Sequence, residues 1–387
     1  MLAIINGDLH TVGCGRVPDG TVLTRGRHIV AVGTEVEVPK DARVIDAAGR
    51  PVTPGIVEAH AHVGINEQGV GWEGRDANES SDPITPEVDA LDGINPRDDA
   101  LREFREAGIT FALVPPGSGN LIGGTAVAIK CCGGIADEMV IAHPVSMKAA
   151  LGQNPKGSYG RRGKAPSTRM GNAALIREAL DGAKEYLQAR KKAEDEGKKP
   201  PKYDAKAEAL IPVLNRQIPL QVHCHRADDI VTALRLCREY GLRFTLEHVT
   251  EGDRVVDLLL ESDAHCAVGP TLKYGSKVEN RDRSFRTPVE LARAGVHFCL
   301  ITDHPVIAGQ FLPITAGIAV SWGMDYDTAL RSITLSAAEH VGIEDRVGSL
   351  EVGKDADVVI WSGDPLDYTT FADYTIIDGE VVYEREA

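Results

Sequence analysis

Five residues have the type and spacing to hold a divalent cation. His60 and His62 lie two apart in PGIVEAHAHVG, His223 ends LQVH, His248 ends FTLEH and Asp303 ends FCLITD. Neutral imidazole and carboxylate are ligands for Zn²⁺ and related divalent ions. Side chains two apart on a strand share a face, so His60 and His62 point the same way. Each residue alone has an ordinary reading: an incidental HxH, a satisfied core histidine, or an aspartate capping the next element. Their placement together, each closing an apolar strand, favours a metal centre. A divalent ion acidifies water towards a pKa of about 7 and so supplies a nucleophile at neutral pH.

The elements that must position these residues alternate. Apolar, β-branched runs occur at 55–58, 109–114, 126–129, 145–147, 220–222, 244–246, 267–268 and 298–301. Helical patterns fall between them at 98–107, 173–187, 228–240, 253–260 and 288–294. This rhythm predicts an α/β architecture, a distorted (β/α)8 TIM-like barrel over 55–349, with site residues at strand C-terminal ends. The stretch PPGSGNLIGGT, between Val114 and Ala126, is too short for a crossover helix, so the barrel is expected to be irregular there. Residues 1–54 and 350–387 read instead as short strands with turn signals such as Asp378-Gly379, and predict one discontinuous β-sandwich built from both termini.

Composition narrows the partners. Forty-two basic against 57 acidic residues give a net charge of −15 over 387 residues, which argues against nucleic acid or an anionic membrane as partner. No apolar stretch approaches the roughly 18 residues a membrane span needs. The seven cysteines form no CxxC pair, and the first residues lack a secretory pattern; a reducing, cytoplasmic location is expected.

Two segments resemble a known family. PGIVEAHAHVG resembles the first-strand signature of the amidohydrolase superfamily, and VGSLEVGKDADVVIWSGDP (347–365) its return into a composite β-domain. His223, His248 and Asp303 fall in the superfamily's order for strands five, six and eight. Within it, the chain is most similar to imidazolonepropionase-like and dipeptidase-like enzymes. The resemblance implies one or two divalent ions, zinc first among them, and hydrolysis of a carbon–nitrogen bond in an amide, lactam or dipeptide-like substrate. It also implies a homo-oligomer, which no periodic interface motif here carries. Two-metal members bridge their ions with a carboxylated lysine or a glutamate on strand four. Lys148, in HPVSMKAALGQNP, is the candidate, with Lys130 as rival. Carboxylation would turn a cation that ligates poorly into a carboxylate. Asp303 would take the proton of the attacking water and pass it to the leaving group. His225, on the same strand face as His223, is the candidate second donor to the carbonyl oxygen, ahead of His304. A single-metal deaminase is the nearest alternative; a non-catalytic scaffold homologue would have lost ligands that are present here.

The substrate is expected to be a small, anionic molecule. The segment 152–172 carries Lys156, Arg161, Arg162, Lys164 and Arg169 with no acid among them. Arg161, Arg162 and Arg169, with Tyr159, are the candidate substrate-binding residues, since arginine clamps carboxylates bidentately; a solvated lid is the plainer reading. The polar segment 64–96 follows the HxH pair and is expected to cover the site, with Trp72, Glu73 and Arg75 as pocket or packing residues. The charged stretch 184–208 reads as a solvated helical hairpin turning at GKKPP.

Overall fold

The computed structural model describes residues 1–386. Both ends of the chain meet in one eight-stranded sheet. Its strands run in the order Glu380–Glu384, Ala372–Ile377, Val358–Trp361, Pro51–Pro54, Leu2–His10, Arg16–Arg25 and His28–Gly33, with Arg43–Asp46 branching from Leu2–His10. The seam between the two termini is antiparallel and sets Thr53 opposite Val359. Leu2, Ile4, Leu9, Val22, Val52, Val358 and Ile376 close its core. The expected pair of sheets is therefore a single hydrogen-bonded sheet. The first half of Leu2–His10 pairs with Arg43–Asp46 and the second half with Pro51–Pro54. The switch falls at an irregularity around Gly7, where a Cβ would stand 2.7 Å from the Val52 side chain.

The middle of the chain carries two further sheets. In one, Ile56–Glu58 and Ile109–Val114 run parallel, and Val127–Lys130 and Val140–Ala142 follow antiparallel. In the other, Met147–Ala150, Leu220–Cys224, Phe244–His248, His265–Val268 and Phe298–Leu300 run parallel in sequence, with Ile122–Thr125 antiparallel at the edge. A parallel bridge from Ala61 to His304 joins the first strand of one sheet to the last of the other. Helices fill the connections, among them Asp99–Glu106, Ala227–Tyr240 and Arg286–Ala294. The segment expected to be irregular holds two short strands, Ile122–Thr125 and Val127–Lys130, where a crossover helix would otherwise lie.

Two boundaries differ from expectation. The fourth expected strand begins at Met147, so Lys148 lies inside it and not beyond it. The segment 152–172 holds the helix Gln153–Gly160 and the start of the long helix Arg169–Asp195, which Thr168 caps by accepting from Gly171 N. That long helix and Ala205–Leu214 form the charged hairpin, with Arg190 pairing with Glu208 at 2.7 Å.

Lys130 ties the terminal sheet to the middle of the chain. Its Nζ lies 2.6 Å from Asp357, 3.0 Å from Asp355 and 3.3 Å from Asp378, in a buried cluster. It is fully engaged there and is no bridging ligand. Among the described residues, no helix is long and apolar enough to cross a membrane.

Candidate metal centre

The strands set the metal-capable side chains in two adjoining groups. The ligand atoms of His60, His62 and Asp303 lie within 4.8 Å of one another, and those of His223, His225 and His248 do the same. The His60 and His248 rings, 5.1 Å apart, join the groups. Lys148 Nζ stands 3.0 Å from His60 Nε2 and is fully buried. Asp303 Oδ1 lies 3.7 Å from His60 Nε2 and 3.4 Å from His62 Nε2. His248 and Asp303 both have left-handed backbones, with φ of 74° and 55°. Such a conformation costs on the order of 1–3 kcal/mol in a residue with a Cβ and gathers at functional sites. Here it accompanies the turn of the chain out of each strand.

The hydrogen bonds behind the rings decide which nitrogen faces the centre. His60 Nδ1 donates to Glu247 Oε2 at 2.7 Å, His62 Nδ1 to the Pro115 carbonyl at 3.0 Å and His248 Nδ1 to the Gly269 carbonyl at 2.8 Å. Acceptors of this kind fix the proton on Nδ1 and leave Nε2 with a free lone pair. His225 Nδ1 lies 2.8 Å from Thr250 Oγ1, a hydroxyl that can donate to it and so leave the ring proton on Nε2. His223 is turned the other way: Asn154 Nδ2 lies 3.4 Å from its Nε2, and its buried Nδ1 has no hydrogen-bond partner. A buried imidazole nitrogen without a partner, grouped with other imidazoles, is a feature that a bound cation would satisfy.

Electrostatics agree with a cation site. Burial, together with Lys148, pushes the His60 imidazole down to about 3, and burial holds His223, His225 and His248 low as well. All four rings are therefore neutral at pH 7, as ligands must be. Burial brings the Lys148 ammonium down to about 8, against the pull of Glu247 and Asp303. Burial also pushes Asp303 up, but His248, His62 and His60 outweigh it and keep the carboxylate ionised.

Two carboxylates behind the site escaped the sequence reading. Glu247 grips His60 from behind, and Glu58 accepts from His60 N at 3.2 Å, Thr302 N at 3.1 Å and Thr302 Oγ1 at 2.5 Å. Burial pushes the Glu58 carboxyl up to about 8. The available signal was a glutamate inside an apolar strand, in GIVEAH and FTLEH, since a buried acid demands partners.

A cavity of about 660 Å³ opens over the centre, with His62, His223, His225 and Asp303 at its floor. Of the four expected substrate-binding residues, Arg161 alone lines it. Tyr159 is fully buried, with its hydroxyl 2.8 Å from the Asp82 carbonyl and 2.6 Å from Asn120 Oδ1. Arg162 reaches back to the Ser80 carbonyl at 3.3 Å, and Arg169 pairs with Asp229 at 3.0 Å. Each of these three has a partner within the protein, and none of them lines this cavity. Lys273 and Lys277, unremarked in the sequence, line the cavity beside Arg161, and Asp303 is the one acid in its lining among the described residues. Asn66, Asn78 and Ser80 of the segment 64–96 also line it, whereas Trp72 is 86% exposed. At Gly117, also in the lining, a Cβ would lie 2.3 Å from Asn78 Nδ2, so this glycine serves chain packing. His304 lies outside the lining, with its ring edge-on to Phe104 at 5.2 Å.

Comparison with known proteins places this geometry. A profile described as the amidohydrolase family matches residues 52–382. The chain is 29% identical to the amidohydrolase tasK of Hapsidospora irregularis over 90% of its length, although it spans 38% of that relative. It is 25% identical to the imidazolonepropionase of Mesorhizobium japonicum, covering 90% of this chain and 88% of that one. The crystal structure of an amidohydrolase from Thermotoga maritima superposes with a TM-score of 0.97 at 38% identity, over the full length of both chains. The fold alone is shared with a 5-methylcytosine deaminase from Klebsiella pneumoniae, at a TM-score of 0.60 and 17% identity. The family is generally metal-dependent, and the histidine groups described above are those a metal would use. The chain belongs to the amidohydrolase family and is a hydrolase acting on carbon–nitrogen bonds.

Proposed function

We propose that the chain hydrolyses the carbon–nitrogen bond of a small, carboxylate-bearing amide, lactam or dipeptide-like molecule at a two-ion centre. The two middle sheets would form a distorted (β/α)8 barrel over 55–349, with the terminal sheet as a composite domain of 1–54 and 350–387. The observation that carries this reading is the buried, unpaired Lys148 beside His60, at the meeting of the two ligand groups. His60, His62 and Asp303 would hold one ion and His223 and His248 the other, with Lys148 bridging as a carbamate. Burial favours the neutral amine of Lys148, the form that adds to carbon dioxide with loss of a proton. When bound, a divalent ion supplies a Lewis acid and acidified water. Asp303 then accepts a proton from the attacking water and hands it to the departing nitrogen. His225, in the cavity floor, donates to the carbonyl oxygen. Arg161 and Lys273 hold the substrate carboxylate; Lys277 is already engaged by Asn154 at 2.7 Å and Glu279 at 3.2 Å. Free cysteines suit a reducing, cytoplasmic compartment.

A second reading, a single-metal deaminase with His225 as a ligand, draws on the close grouping of His225 with His223 and His248. Elemental analysis of protein made with bicarbonate and zinc separates the two. Two ions per chain, with hydrolysis of N-acyl amino acids, dipeptides or cyclic amides, is the expected result. One ion, with ammonia release from amino-heterocycles, overturns it.

A further inference from the structure

A column of buried polar groups runs from the metal centre towards the beginnings of the strands, at the end away from His248. His60 Nδ1 donates to Glu247 Oε2 at 2.7 Å, and His340 Nε2 donates to Glu247 Oε1 at 3.0 Å. Thr245 Oγ1 adds a second donor to Oε1 at 2.9 Å. All three members of the column are buried, and the Glu247 and His340 side chains are 0% and 1% exposed. His340 comes from the helix Leu335–Val341, far along the chain from every ligand strand except the one ending near Asp303. It lines a separate cavity of about 530 Å³, with Arg243, Thr245, His265 and Glu339. Thr245 and His265 lie near the beginnings of strands, one of which carries His248 at its other end. The His340 Nδ1 is buried without a hydrogen-bond partner. The ring is therefore held on one side only, by Glu247.

We propose that His340 is a positioning residue for the metal centre, acting through Glu247 on His60. A carboxylate can rotate about its last bond; Glu247 is stopped from doing so because one oxygen is held by His340 and Thr245 and the other takes the His60 proton. The fixed carboxylate in turn fixes the His60 tautomer and the direction of its Nε2 lone pair. Removing His340 leaves Thr245 alone to hold that oxygen, so the carboxylate is less firmly fixed and His60 loosens before any group facing the centre is replaced. Groups in this outer position govern metal affinity as well as activity. The inference rests on the metal-centre reading above.

The test is the zinc affinity of the full chain, read by competition with a chromogenic chelator, with the visible spectrum of the cobalt-substituted protein as a second readout. His340→Phe fills the space without a donor, and zinc is expected to bind about 10- to 100-fold more weakly, with a changed cobalt spectrum. His340→Gln sets an amide nitrogen near the place of Nε2 and is expected to restore affinity to within about threefold. Thermal unfolding of the metal-stripped variants reports packing separately. If His340→Phe lowers that stability but binds zinc as tightly as the parent, the positioning role is overturned. If His340→Phe does not fold, His340→Asn, whose amide is too short to reach Glu247, replaces it; equal zinc affinities for the Asn and Gln variants overturn the proposal. A parent protein that binds no zinc overturns the metal centre itself, which is a different failure.

Discussion

Lys130 and Lys148 are both buried in strands of the middle sheets, yet they sit in opposite chemistry. Lys130 meets three aspartates within 3.3 Å, and although burial pulls its ammonium down, Asp357, Asp355 and Asp378 raise it overall. Lys148 meets an imidazole at 3.0 Å and no carboxylate at ion-pairing distance, and burial brings it down to about 8. Burial thus sets the stakes, and the partner decides the outcome. A paired lysine stays a cation and welds two parts of the chain together. An unpaired one gives up its proton near pH 8, far more readily than an ordinary lysine.

The comparison can be broken first at its stronger weld. Lys130→Met leaves buried aspartates without their cation and is expected to lower stability by about 3–5 kcal/mol, measured by urea unfolding, with metal content unchanged. If stability held, the cluster would be decoration. Lys148→Met should do the reverse. Turnover is expected to fall by at least about 100-fold and metal content from two ions towards one, while urea stability stays near the parent's.

Alkaline pH sharpens the contrast in the metal-stripped protein. Lys148 has a folded value of about 8 against an ordinary 10.5, so in this window the unfolded chain binds the extra proton. Stability should therefore rise with pH, by about 2 kcal/mol between pH 8 and 9.5, and Lys148→Met should flatten that rise. Lys130 has the opposite sign: its raised folded value gives stability below 10.5 that fades only as pH climbs through the folded value. The smallest effect repeats the lesson with arginines. Arg161→Ala is expected to raise KM about tenfold for a carboxylated substrate and leave kcat in place. Arg169→Ala should leave KM alone and lower stability, because Asp229 loses its partner.

How far these roles could be read from residues alone follows the same division. His60, His62, His223, His248 and Asp303 were legible because a strand's period of two and its end fix where a side chain points. The helical hairpin and the irregular stretch after Val114 were legible from turn residues and length. Lys148 was singled out by resemblance, and its strand began later than the apolar run suggested. The substrate arginines were not separable: nothing in a basic segment tells Arg169 that Asp229 will neutralise it, or Arg161 that nothing will. Nor does the segment tell that the Tyr159 hydroxyl will lie between Asn120 and Asp82. His340 and Glu247 were invisible because their partnership spans 93 positions.

The seam of the terminal sheet has a consequence for how the chain is made. Pro54 pairs with Val358 and Val52 with Ile360, so a strand synthesised early has an open side until those partners emerge. At roughly 5–20 residues per second, that interval is on the order of tens of seconds. Throughout it, Pro51–Pro54 offers unpaired backbone groups to any neighbouring strand, including the same segment of another nascent copy. The chain is therefore most exposed to misassembly during translation, at an edge that the finished molecule no longer has.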